Sequence, residues 1–351
     1  LIFIVLYHAG LNRYYLMSII GVIPPFLFIV VPLSSTICVC VLRVSKWVIA
    51  MSMMGLVLGA TQGDLVINRL AFDVFDSESE IPLKVVNWNT EMWDDYKDKD
   101  DFYEYLVALD ADVYIFQERF YDAATGKHLV EESNYSEPHP ITRVIDGFPD
   151  LYITIEDSSV QENYFPNYHF AAHQQFLMLS KYPIEGAQLD PSDQFQVVDV
   201  RVNEALVRFF NVHIVMQLES FDPLTEEFYL GAKLRHAARE IGFENLRRWV
   251  DQTQVDYMIA GDFNATSNMG VLNWLRQGHV DLFRYGSERI PLTFRIFGLK
   301  LWRIDWLFIN PAGALKVLGF SNEEQSSFSD HSVQTVVLGV PTENPSLLSP
   351  N

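Results

Sequence analysis

Cysteine is nearly missing from this sequence: the 351 residues hold two, Cys38 and Cys40, both inside an apolar N-terminal stretch. No disulfide can therefore staple the remainder, which must hold itself together by its core. Two thiols one residue apart lack the further ligands of a metal site, and they read as apolar fillers. Basic residues are also scarce. Lys and Arg total 25 against 45 Asp and Glu, a formal charge of -20. Such a chain repels polyanions at long range, which counts against tight nonspecific binding of duplex DNA, while a local basic groove stays open. Acid in turn is absent from residues 1–62, whose charged residues are Arg13, Arg43 and Lys46. There is no internal repeat. With 49% hydrophobic and 14% aromatic residues the chain is not globally disordered. Its length suits one large domain and an accessory segment.

The accessory segment is N-terminal. Leu1 to Leu6 is apolar and starts without Met, as a truncated first span would. Tyr15 to Leu42 is a long apolar run interrupted by Pro24, Pro25 and Pro32, and Trp47 to Ala60 is a shorter one. A spanning helix needs about 20 apolar residues. The middle run satisfies that; the last must borrow Val44 to Lys46. Residues 1–62 are therefore expected to form two or three transmembrane helices of a multi-pass anchor in the cell membrane. A cleaved signal peptide fits poorly, because the apolar material is too long and is repeated. Three short spans without intramembrane charge are too little machinery for a transporter. Arg43 and Lys46 favour a cytoplasmic loop between the last two spans, which delivers residue 63 onward to the extracytoplasmic side; Arg13 opposes this. Residues 63–80 read as a polar connector and 342–351 as a loose tail.

From residue 81 to 341, short β-type runs alternate with helical ones. Lys84 to Trp88, Val113 to Gln117, Phe176 to Leu179, Gln196 to Val202 and Leu206 to His213 are predicted strands, as are Tyr257 to Ala260, Trp306 to Ile309 and Val333 to Leu338. Asp100 to Leu109 and Leu230 to Val250 are predicted helices, the second from apolar residues recurring at helical spacing. Arg235, Arg239, Arg247 and Arg248 on that helix read as its solvated face. Glu131 to Phe170 is turn-rich and reads as a variable loop. The alternation predicts mixed α/β layers.

Polar residues stand at the ends of these strands, where open α/β sheets place their ligands. Asn89 follows Val85-Val86-Asn87-Trp88, Glu118 follows Val113 to Gln117, and His213 ends Phe209-Phe210-Asn211-Val212. Asp262 and Asn264 follow Met258-Ile259-Ala260-Gly261, and Asp330 and His331 precede a strand. Each alone has a plain reading as a turn, a cap or a satisfied histidine. Their joint order is what those readings handle poorly.

In that order the sequence resembles the endonuclease/exonuclease/phosphatase superfamily. Val86-Asn87-Trp88-Asn89-Thr90 resembles its first-strand Asn motif, and Asp112 to Glu118 its metal-Glu motif. Asn211-Val212-His213 resembles the central His motif and Gly261-Asp262-Phe263-Asn264 the Asp-x-Asn motif. Arg303-Ile304-Asp305-Trp306 with Ser329-Asp330-His331 resembles the C-terminal pair. Asn87 is a second candidate for the first Asn, and Ile214-Val215-Met216 departs from the His-Leu usual after the central His. The resemblance implies a four-layer α/β sandwich, two packed mixed β-sheets flanked by helices, preceded by the N-terminal transmembrane helices. It implies a metal-dependent phosphoesterase in which Glu118, Asn89 and Asp330 hold Mg²⁺ or Mn²⁺. His331, oriented by Asp305, would activate water; His213 would bind phosphate or protonate the leaving group; Asp262 and Asn264 would position the nucleophile. The substrate, a nucleic acid, a phospholipid headgroup or a small ester, stays open. No obligate protein partner is expected. The alternative is an inactive, membrane-anchored binding protein on the same fold.

Overall fold

The computed structural model describes residues 14–67, 69–94, 97–122, 152–154, 163–218 and 222–342. The strands are β1 (Glu80–Asn89), β2 (Val113–Gln117), β3 (Phe120–Asp122), β4 (Tyr152–Thr154), β5 (His169–His173), β6 (Phe176–Ser180), β7 (Ile184–Leu189) and β8 (Phe195–Val202). They continue as β9 (Ala205–His213), β10 (Asp256–Asp262), β11 (Val280–Asp281), β12 (Phe294–Ile296), β13 (Leu299–Trp302), β14 (Asp305–Ile309), β15 (Lys316–Glu324) and β16 (Ser332–Pro341). The helices are α1 (Tyr15–Gly21), α2 (Leu27–Val41), α3 (Lys46–Ala60), α4 (Lys99–Ala108), α5 (Glu226–Gln252) and α6 (Asn273–Gly278). Every predicted strand is present, within a few residues of its expected ends. The two predicted helices are α4 and α5. Each starts on a capping side chain, Asp98 accepting from Asp101 N–H and Thr225 from Phe228 N–H, with two acids in its first turn.

Two six-stranded sheets run in the orders β15-β16-β1-β2-β6-β5 and β11-β14-β10-β9-β8-β7. Each has one parallel pair, β1 with β2 and β9 with β10, and otherwise antiparallel neighbours. Alternation along the strands divides the apolar residues by face. Val85, Val113 and Ile115 of one sheet meet Val198, Phe209 and Met258 of the other. Val86, Trp88 and Phe116 turn outward onto Phe102 and Leu106 of α4. Phe210, Ile259 and Trp306 turn outward onto Phe243 and Leu246 of α5. The result is the expected four layers, each large buried side chain contributing about 1.5–3 kcal/mol.

The N-terminal region departs from expectation. Pro24 and Pro25 lack amide N–H groups and end α1, so Tyr15 to Leu42 is two helices and not one. α2 and α3 have 15 residues each. Among the described residues no helix is long and apolar enough to cross a membrane, which corrects the spans expected at Tyr15 to Leu42 and Trp47 to Ala60. Leu1 to Leu6 lies outside the described residues. Cys38 and Cys40 are free and exposed. The polar connector is hydrogen-bonded to the domain. Val66 N–H donates to Arg289 O at 2.9 Å, and Asp73 exchanges two hydrogen bonds with the backbone of Val317. Most of Glu131 to Phe170 lies outside the described residues, and its last two residues open β5. The 343–351 part of the tail also lies outside them.

Candidate active site

The two parallel pairs end at one edge of the sandwich. Asn89 is in register with Gln117, and Asp262 is in register with both His213 and Asp305. The C-terminal ends of β1, β2, β9 and β10 therefore deliver Asn89, Glu118, His213 and Asp262 to the same place. The start of β14 adds Asp305 and the approach to β16 adds Asp330 and His331.

Asn89 Nδ2 donates to Glu118 Oε1 at 2.9 Å and to Asp262 Oδ2 at 3.1 Å. His213 Nε2 lies 3.6 Å from Glu118 Oε1 and 3.7 Å from Asp262 Oδ2. Asn264 N–H donates to Asp262 Oδ1 at 2.7 Å, and its Nδ2 donates to Ile214 O at 2.9 Å. His331 Nδ1 lies 3.0 Å from both oxygens of Asp305. A carboxylate only accepts, so Nδ1 carries the proton and Nε2 is the reactive nitrogen. Nε2 stands 3.8 Å from Asp262 Oδ2 and 3.7 Å from Asp330 Oδ1. All eight residues singled out in the sequence thus meet in one cluster. Glu118 (φ 60) and Asn264 (φ 47) hold left-handed backbone there, a conformation that costs about 1–2 kcal/mol and turns a side chain back over the strand ends.

Charge accumulates in this pocket. Burial pushes the Asp262 carboxyl up to about 8, with Asp305 and Glu118 adding to the rise. Burial likewise pushes Asp330 up to about 6. For His331 burial opposes the charged form, but the Asp305 carboxylate and its hydrogen bond outweigh that and hold the imidazolium well above its ordinary range. Burial lowers His213. Glu118, His213 and Asp262 offer donor atoms within 4.8 Å of one another, as do Asp262, Asp305 and His331. Clustered carboxylates that burial makes reluctant to ionise are those a divalent cation would relieve, and an oxygen-rich donor set suits a hard one. The residues fit a metal.

Several supporting residues carry no motif of their own. Gln175 Oε1 accepts from His213 Nδ1 at 2.6 Å and so aims Nε2 inward. Ser329 Oγ donates to Asn89 O at 2.7 Å and accepts from His331 N–H at 3.0 Å. Thr293 Oγ1 accepts from the amides of Ile304 and Asp305. Asn87, the rival of Asn89, points between the sheets, where Gln117 Nε2 bridges its Oδ1 and Asn211 Oδ1 at 3.1 and 2.7 Å. Arg235 and Arg239, expected in solvent, are 5% and 1% exposed. They donate to the Met216 and Val215 carbonyls that follow β9. Arg247 and Arg248 remain on the solvated face, paired with Asp251 and Glu244.

Residues 86–331 match the sequence profile of the Endonuclease/Exonuclease/phosphatase family. No curated protein matches the chain by sequence. Among solved structures, the AP endonuclease LMAP from Leishmania major is 11% identical with a TM-score of 0.52, over 79% of this chain and 95% of that one. A truncated TDP2 from Caenorhabditis elegans is 16% identical with a TM-score of 0.46, over 74% and 98%. The mannosyl-6-phosphatase Bt3783 from Bacteroides thetaiotaomicron is 13% identical with a TM-score of 0.43, over 73% and 99%. At these identities the likeness is one of fold.

Proposed function

The chain belongs to the endonuclease/exonuclease/phosphatase family, whose members hydrolyse phosphate esters, and from that premise we propose a Mg²⁺- or Mn²⁺-dependent phosphodiesterase in which His331 activates the attacking water. The observation that carries this reading is the Asp305–His331 pair, whose free Nε2 faces the Glu118–Asp262–Asp330 carboxylate cluster.

Glu118, Asn89 and Asp330 would hold the cation, which when bound supplies Lewis-acid neutralisation of the charge that develops on the transferring phosphoryl group. His331 Nε2 takes the proton of water, while Asp305 keeps Nδ1 protonated and stabilises the imidazolium that forms. Positive charge among the carboxylates weakens the hold of His331 on its proton and brings it toward the neutral, basic form. His213 is kept neutral by burial. A phosphate anion arriving beside it favours the imidazolium, which turns Nε2 into a donor for a phosphate oxygen or the leaving group. Asn264 fixes Asp262 through its amide and side chain, so that Asp262 is held in place to orient the nucleophile. A net charge of -20 makes long duplex DNA the least suitable substrate.

The test is hydrolysis of bis(p-nitrophenyl) phosphate by the full chain with Mg²⁺ or with chelator. We expect activity that chelation abolishes and that His331→Ala lowers by about 10²–10⁴-fold. Unchanged turnover in His331→Ala sinks the assignment.

A further inference from the structure

The α2–α3 pair is built unlike the rest of the molecule. A Cβ on Gly59 would stand 1.8 Å from Phe28 O, and one on Gly55 would stand 3.7 Å from Pro32 Cβ. Gly55 and Gly59 are four residues apart, the small-residue spacing that lets two helices touch along their backbones. Three polar side chains of the pair are bonded within it. Ser35 Oγ and Ser52 Oγ share a hydrogen bond at 3.3 Å across the helices, and Thr36 Oγ1 donates to Pro32 O at 2.8 Å. Outside that contact the surface is apolar apart from Ser34 and the basic tip. Val31, Val41, Met51 and Val57 are 60%, 74%, 57% and 69% exposed, and α2 has no buried residue. Helices apolar all round are found in cores or in lipid, and a patch of this extent is not left to water. A second copy of the chain would cover one stripe of the pair, whereas hydrocarbon covers all of it.

Charge is placed to match. Residues 14–60 contain no Asp or Glu, and their two cations, Arg43 and Lys46, flank the turn between the helices. Trp47, 79% exposed, stands beside them. Cations next to an exposed tryptophan are what meets lipid phosphates at a bilayer interface. Each helix is about 22 Å long, against a hydrocarbon core of about 30 Å. Neither crosses unaided, but long basic side chains at the tip can snorkel to phosphates beyond it.

We propose that the α2–α3 hairpin inserts into the lipid bilayer and holds the catalytic cleft against the membrane surface. The hairpin root is fixed to the cleft. Trp302 Nε1 donates to Val22 O at 2.7 Å, the Trp302 and Phe294 rings lie 6.0 Å apart, and Phe294 lies 4.8 Å from the His331 ring. On the other side Asp64 pairs with Arg303 and Arg276, each at 3.7 Å.

The full chain is mixed with vesicles of phosphatidylcholine and phosphatidylglycerol and floated on a density gradient. It is expected to float, to resist high salt and alkaline carbonate, and to be released by detergent. Cys38 and Cys40, the chain's two thiols, are expected to resist a charged, membrane-impermeant maleimide in vesicles and to react once dodecyl sulfate is added. The double variant Val31→Glu, Val57→Glu, folded by circular dichroism, is expected to float at least about tenfold less. A chain that stays monomeric or dimeric in buffer without lipid or detergent overturns the proposal, as does full labelling of both thiols in vesicles or undiminished flotation of the variant. None of these readouts needs turnover, so they stand apart from the phosphoesterase assignment.

Discussion

At the scale of single residues, the site is set by which atom of each side chain is held and which is left free. His331 shows this best. Its Nδ1 is bound to Asp305, and the imidazolium persists above its ordinary range. Since the neutral form is the base, activity must rise as pH climbs through the value His331 takes in the working enzyme, which the Asp305 carboxylate holds up. Asp305→Asn removes the charge that raises it. The acidic limb of the pH–rate profile is then expected to move to lower pH by about 1–3 pH units, with a lower plateau; an unmoved limb in a steady-state pH series would show that another group governs it. The eight clustered residues were legible because each sits beside a strand end in a recognisable tetrapeptide or tripeptide. Gln175 and Ser329 were not. Glutamine and serine occur everywhere in a sequence, and only their neighbours in space give them a positioning role.

At the scale of elements, the strands were legible from β-branched and aromatic runs, and α5 from the helical spacing of its apolar residues. The end of β10 shows what composition hides. Gly261 has φ 143, and a Cβ there would stand 1.9 Å from Val212 O on the neighbouring β9. This glycine lets the two parallel strands close together where Asp262 and His213 must face the same cluster. Gly261→Ala is expected to cost at least about 2 kcal/mol, read as a lowered midpoint in urea unfolding, and to reduce activity with it. Arg235 and Arg239 mark the opposite limit. Helical spacing alone put them with Arg247 and Arg248 on one polar face, but the carbonyls of Val215 and Met216, contributed by a distant segment, draw the first two inward.

At the scale of the molecule, two sheets face each other across one core, and the ends of their parallel pairs make a pocket rich in carboxylates. Bringing these groups together without a counter-ion strains the folded state, so a cation that binds only there must stabilise it. Mg²⁺ at about a hundred times its Kd is expected to add about 2.7 kcal/mol, seen as a raised Tm in differential scanning calorimetry. Glu118→Gln should abolish that rise while leaving the metal-free Tm near or above the parent's, because it removes one negative charge from a crowded cluster. A parent Tm indifferent to Mg²⁺ and Mn²⁺ would refute the metal site. The N-terminal segment belongs to this scale as well. As sequence it is a hydrophobic run followed by a polar connector; folded, it is a hairpin whose two ends are bolted to the catalytic domain.

What the sequence settled by itself is whatever depends on neighbours along the chain: strand and helix positions, the caps, the apolar N-terminus and the motif tetrapeptides. Periodicity and local turn chemistry are written in adjacent residues. The tertiary structure alone decided which arginines leave solvent, and that Asn89, Glu118, His213, Asp262 and His331 share one cluster. Those outcomes depend on contacts between segments up to about 240 residues apart, such as Ser329 Oγ with Asn89 O. No local pattern encodes such a contact; it exists only once both sheets have closed on their common core.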